Sequence, residues 1–248
     1  MKFCAASPTG DDLDAQFASL SLQTSSLLNL KQPLKSIPNP TDAIPIRSYD
    51  PTKGELSTIL YALRKLREAI TASGRKDQFA QRAYIFNIHA AILCKDWESY
   101  SPALNALLHV IHSVTPLSPT ELHEILSYTI LDLACRRGDI SAAHELRLRY
   151  KYTDRRVELI LKSLVSDNWV VFWKVKRGVD GYQRRIIEFA EQGMRVHALK
   201  CLGRGYMSAE RGFVERTTDR KWEGLVTDGV GWELTDLGKV IIKTPKGG

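Results

Sequence analysis

No apolar run in this 248-residue chain approaches the roughly 18 residues that a membrane-spanning helix requires. The opening residues, Met1 to Ser7, do not lead into the apolar core of a secretory signal. The expectation is a soluble protein of the cytoplasm or nucleus. Cysteine is scarce: Cys4, Cys94, Cys135 and Cys201 are widely spaced, with no C-x-x-C pair. That spacing argues against a zinc site and provides no disulfide framework. Cys94, Cys135 and Cys201 fall among apolar helical residues and read as reduced, buried thiols.

The motifs of common chemistries are missing too. There is no G-x-S-x-G elbow, no phosphate-binding P-loop and no dinucleotide-binding glycine fingerprint. His109 and His112 share a helical face at i, i+3, yet no third ligand stands at a suitable spacing. His123-Glu124 and His144-Glu145 lack the second histidine of an H-E-x-x-H helix. The sequence therefore leads to a non-catalytic protein with no metal and no cofactor.

What is present is ordinary globular composition, 44% hydrophobic and 25% charged, with a net charge of +7. The first fifty residues hold four basic and five acidic side chains, so the positive surplus belongs to the remainder. Such a surplus suits an acidic partner, either nucleic acid or a protein surface.

The chain divides by composition into three parts. Residues 1–50 are rich in Ser, Thr, Asp and Pro and read as a disordered tail with one short amphipathic stretch, Phe17 to Leu28. Residues 51–192 alternate helical apolar patterns with brief breaks. Thr52-Lys53-Gly54-Glu55 reads as a capping box ahead of a face made of Leu56, Ile59, Leu60, Leu63 and Ile70, ending at Ser73-Gly74. Helices over about 77–95, with Phe79, Tyr84, Ile85, Ile88 and Ile92 apolar, and over 97–114 follow. Ser118-Pro119-Thr120-Glu121 opens another, which Gly138 stops before Asp139 caps the next. Further helices are expected over 140–151, 155–166, 169–176, 180–192 and 193–204. This is the pattern of stacked helical hairpins, TPR-like but degenerate.

Residues 193–245 change character. Ser208–Arg216 and Asp219–Thr227 read as short helices, with Thr218 a cap for the second and Phe213, Val214, Trp222, Leu225 and Val226 turned inward. Trp232-Glu233-Leu234-Thr235 and Lys239 to Lys243 then read as two strands around an Asp236-Leu237-Gly238 turn. Three helices followed by a β-hairpin make a winged helix. The fold class expected is mainly α, helical hairpins followed by a C-terminal winged helix.

This order resembles the PCI domain. The residues carrying the likeness are Asn168-Trp169-Val170-Val171-Phe172-Trp173, Arg195-Val196-His197-Ala198-Leu199, Gly205-Tyr206, and Gly231-Trp232-Glu233-Leu234 leading to Val240-Ile241-Ile242. They are most similar to the branch shared by COP9 signalosome subunit 8, a small proteasome-lid subunit and the k subunit of initiation factor 3. The resemblance covers about a third of the chain by motif and residues 52–167 by architecture alone. It implies a scaffold or accessory subunit that binds other PCI-containing subunits through the winged helix.

Two sets of interaction residues follow. Trp232, Leu234, Val240 and Ile242 of the wing are the candidates for protein contact. Arg204, Arg211, Arg216, Arg220, Lys221, Lys239 and Lys243, with Arg147, Arg149 and Lys151, are the candidates for RNA, DNA or another acidic partner. The first set leads to a scaffold, the second to a nucleic-acid adaptor in messenger-RNA processing, export or transcription.

Overall fold

Seven consecutive helices open on the same device, a short polar side chain that accepts backbone N–H groups lacking helical partners. Asp77 caps α2 (Gln78–Leu93) and Asp96 caps α3 (Trp97–Ala106). Ser118 caps α4 (Pro119–Leu131) in a full capping box with Glu121. Asp139, Asp154, Asn168 and Asp180 do the same for α5 (Ile140–Arg149), α6 (Arg155–Val165), α7 (Trp169–Gly178) and α8 (Gly181–Ile187). The structure, a computed structural model, describes residues 51–242. The tail expected over 1–50, its Phe17–Leu28 stretch and Lys243 lie outside the described residues.

The breaks between helices are equally regular. Each of six turns places one residue in the left-handed region: Gly74, Lys95, Gly138, Lys151, Asp167 and Asp219. Only glycine adopts that conformation at no steric cost, so the four other turns are strained by about 1 kcal/mol each. Helix α1 (Pro51–Ala72) starts one residue before Thr52, so the Thr52–Glu55 segment forms its first turns instead of preceding them.

Helices α3 and α4 both end in a π-helical turn, closed by N–H groups bonding five residues back: His112 to Leu107 and Arg137 to Asp132. The second turn carries a buried carboxylate. Asp132 accepts from Tyr100 Oη at 2.8 Å and from Arg136 at 2.6 and 2.7 Å, with Arg137 at 3.3 Å. Burial and the Asp132 charge push the Tyr100 hydroxyl far above its usual range, so it remains a donor. His112 is also structural, its Nδ1 accepting the Leu117 N–H at 3.0 Å.

A large core fills the space among these helices, from Ile70 through Tyr100, Ile130 and Trp173 to Met194. Helix α8 packs back on α2 and α4, closing that core from the far side. A smaller core follows, made of Leu202, Ala209, Val214, Trp222, Leu225 and Val240. Helix α9 (Glu191–Gly205) serves both: Met194 faces the first, Leu202 the second.

The second core is covered by α10 (Arg211–Thr218), α11 (Trp222–Thr227) and a three-stranded antiparallel sheet. The strands are β1 (Ser208–Glu210), β2 (Glu233–Leu234) and β3 (Lys239–Ile241), in the order β1-β3-β2. Ala209 and Leu234 both face Val240 across the ladders. Gly238, at φ +72°, closes the β2–β3 turn.

The chain is thus mainly helical, with eleven helices among the described residues and a small sheet at its C-terminal end. The described residues all lie within one compact unit. None of their helices is long and apolar enough to cross a membrane.

Several local expectations are corrected. Residues 208–210 are a strand, because β3 needs a partner on its second side. Thr218 ends α10 instead of capping α11; it is fully buried and donates to the Val214 carbonyl. Val226 faces solvent, as do Leu56, Ile59 and Phe79. Cys94 is exposed and Cys201 half-buried, leaving Cys135 as the buried thiol of the three.

Candidate interaction surfaces

The wing residues fall into different surroundings. Val240 is wholly buried, and its side chain belongs to the small core. Trp232 and Ile242 are partly buried against that core. The Trp232 ring lies beside Gly203, where an added methyl would meet its Cζ2 at 3.7 Å. Leu234 is the one of the four classed as exposed, and Leu237 beyond it, at the tip of the turn, is 94% exposed. Because β3 is central, the free edges belong to β1 and β2.

The basic residues are largely committed to carboxylates. Arg211 bonds Glu215 at 3.0 Å and Glu223 at 2.7 Å, and Arg220 bonds Asp228 at 3.1 Å. Arg147 pairs with Glu158 at 3.6 Å, Arg149 with Glu145 at 2.6 Å. Arg204 is exposed on α9 and engaged locally. Arg216, Lys221, Lys239 and Lys151 are exposed and form no ion pair among the described residues. Arg216 and Lys221 flank an open cleft of about 740 Å³ between α7 and α10, with Arg177 and Arg220 beside Glu215 and Asp219. The Arg211 and Trp222 N–H bonds hold Glu215 below the usual carboxylate range; the Trp222 backbone contributes most.

The small C-terminal unit is fixed to the helical body through the end of α10. Its last carbonyls, left without helical partners, accept from side chains of the body. Trp173 Nε1 donates to Thr217 O at 2.9 Å, and Arg195 Nε donates to Thr218 O at 3.1 Å. Asp219 then binds Lys176 at 3.1 Å and Arg177 at 2.9 Å, while Lys176 also reaches Glu191 at 2.6 Å. Lys176 and Arg195 lie over the buried Trp173 ring. Few degrees of freedom remain at such a joint.

Ile59 and Phe79, assigned by pattern to apolar helical faces, stand outside, next to apolar residues that the pattern did not include. Phe79, Phe86 and Leu93 of α2 recur every seven residues, so they form one row, and all three are exposed, Phe86 by 62%. Ile59 and Leu66 form a matching row on α1. The two antiparallel helices meet through Arg67 with Asn87 and through Thr71 with Tyr84. These are exposed apolar side chains, with the Arg75 guanidinium over the Phe79 ring at 4.5 Å; exposed apolar surface of this kind marks docking sites.

Among the described residues, no three metal-ligating side chains converge. No family model matches the chain, and a search of curated proteins finds no match either.

Proposed function

We propose that the chain is a non-catalytic accessory subunit of PCI type, which holds other subunits of a multiprotein complex in place. On this reading α1–α8 are degenerate helical hairpins, the unit from α9 to β3 is a winged helix, and the proteasome lid, signalosome and initiation factor 3 assemblies are its class of partner. The protein works in the cytoplasm or nucleus.

The observation that carries this reading is the pairing of exposed apolar side chains on α1 and α2, Phe86 and Leu93 among them, with a rigidly mounted C-terminal unit. A stacked-hairpin array buries each hairpin against the next, so its first hairpin presents an unmatched face. A rigid body joining two such surfaces fixes the spacing of whatever binds them. Catalysis requires neither feature.

Charging these side chains tests the reading without touching the core. Phe86→Glu with Leu93→Glu should leave the melting temperature of the purified chain within about 2 °C, since exposed substitutions shift stability by roughly 0.5 kcal/mol. The same variant, tagged and recovered from cells, should lose helical-repeat subunits that co-purify with the parent chain in fixed ratio. Recovery of the parent as a bare monomer would overturn the assignment.

A nucleic-acid adaptor is the second reading. The exposed cations Arg216 and Lys221 at the α7–α10 cleft favour it. Binding through them would weaken steeply with salt as counterions are released. A gel-shift series with single- and double-stranded RNA and DNA tests this, and no retarded band at low salt removes it.

A further inference from the structure

Cys201 stands in surroundings unlike those of the other described thiols. One turn earlier on the same helix, His197 presents Nε2 to its sulfur at 3.4 Å. With Nε2 accepting, the ring proton of neutral His197 sits on Nδ1. That atom faces Asp167 Oδ2 at 3.8 Å, within ion-pair range. The Trp169 ring lies 5.7 Å from the imidazole, tilted by 47°. His197 is 37% exposed and Asp167 55%, so the group is reachable from solvent. His197 and Asp167 border an open cavity of about 620 Å³ whose wall also includes Lys200, Cys135 and the apolar Leu164, Met194 and Val196; Cys201 itself is not part of that wall.

Nothing in the structural roles of α9 requires this arrangement. The helix packs through Met194, Ala198 and Leu202, and Arg195 anchors α10. His197 lies to one side of that buried face, and Cys201 is at its edge, two turns on from Met194 and half-buried. The scaffold reading uses neither residue.

We propose that Cys201, His197 and Asp167 form a nucleophilic modification site, at which Cys201 reacts with small peroxides faster than any other described cysteine. The imidazole takes the thiol proton, and Asp167 balances the resulting imidazolium. The thiolate sulfur attacks one peroxide oxygen: an S–O bond forms and the O–O bond breaks. Sulfur loses two electrons and the peroxide gains them. The departing hydroxide takes the proton held on His197 and leaves as water, so the product is the Cys201 sulfenic acid and a neutral imidazole.

The chain supplies its own controls. Cys94 is exposed, and its sulfur has no hydrogen-bond partner among the described residues. Cys135 is buried, and burial followed by the Asp132 charge raises its thiol far above the ordinary value. The full chain is treated with hydrogen peroxide in the presence of dimedone, and each cysteine peptide is followed by mass spectrometry. Cys201 should be trapped about tenfold faster than Cys94 despite its lower exposure, and Cys135 should stay unlabelled. His197→Gln should bring the Cys201 rate down to that of Cys94 or below, leaving Cys94 unchanged; Asp167→Asn should lower it about threefold. Equal or faster trapping of Cys94 in the parent chain overturns the proposal, and that comparison needs no variant. So does an unaltered Cys201 rate in a His197→Gln protein whose Cys135 remains protected.

Discussion

Asp132 shows how one side chain can settle the join between two helices. It is buried, so its charge must be answered inside the protein, and Tyr100, Arg136 and Arg137 answer it. Tyr100 comes from α3, the two arginines from the end of α4. Asp132→Asn keeps the volume and removes the charge, leaving Arg136 with a weaker acceptor. Because Arg136 retains some solvent, the expected loss is about 2 kcal/mol, below the 3–5 typical of a fully buried broken pair. Urea denaturation of the variant checks this: the midpoint should fall while the slope remains that of the parent. None of this was visible beforehand. Asp132 sits in an apolar helical run, and only the folded arrangement brings Tyr100, thirty-two residues earlier, to its carboxylate. The thiols gave a similar lesson. Helical apolar surroundings made all three look buried, but the angle around α9 leaves Cys201 beside His197.

Among elements, the helix starts were the most legible. Asp139 and the Ser118 box could be found because capping chemistry is local: an oxygen two or three residues ahead of free N–H groups. Gly74 and Gly138 were legible for a similar reason. Lys95, Lys151, Asp167 and Asp219 were not, because a lysine or aspartate in left-handed conformation is imposed by the packing of the helices on either side. Strand β1 was hidden for a tertiary reason as well. Ser-Ala-Glu carries no strand signature and pairs only because Val240 of β3 stands opposite Ala209. Ile59 and Phe79 were read as part of periodic apolar faces, but periodicity does not say what covers a face, and Leu66, Phe86 and Leu93 were not in that reading. The segment Asn168–Trp173 opens an element whose role is concrete: it supplies Trp173, Lys176 and Arg177 to the α10 joint. Trp173→Phe keeps most of the packing and leaves the Thr217 carbonyl without its donor. A loss of about 1–2 kcal/mol is expected. Hydrogen exchange should show it first in α10 and α11, with α2–α4 unchanged.

For the whole molecule, acid is the informative stress. Several carboxylates are held below their ordinary values in the folded chain. Hydrogen bonds from Ser118 lower Glu121, and those from Ala142 N–H and Ser141 lower Asp139. Burial alone would raise Glu188, but Lys95 and Arg185 outweigh it and bring the group down. A group depressed by folding contributes stability above its unfolded value, and that contribution disappears as pH falls through its folded value. The melting temperature should therefore be nearly level from neutrality down to about pH 4.5 and drop below it. A calorimetric series over pH 3–7 checks the profile; a steady decline beginning near pH 6 would point to histidine instead.

The order of strands has a bearing on biosynthesis. Both neighbours of β3 precede it in the chain, and Val240 completes the small core between them. Helices α1 to α8 can pack while translation is still under way, since their contacts are with segments already made. The sheet has no such early form: until Lys239–Ile241 emerge, β1 and β2 have nothing to pair with, and α10 and α11 cover an unfilled hollow. A nascent or prematurely terminated chain therefore shows chaperones and proteases a finished body carrying an open end.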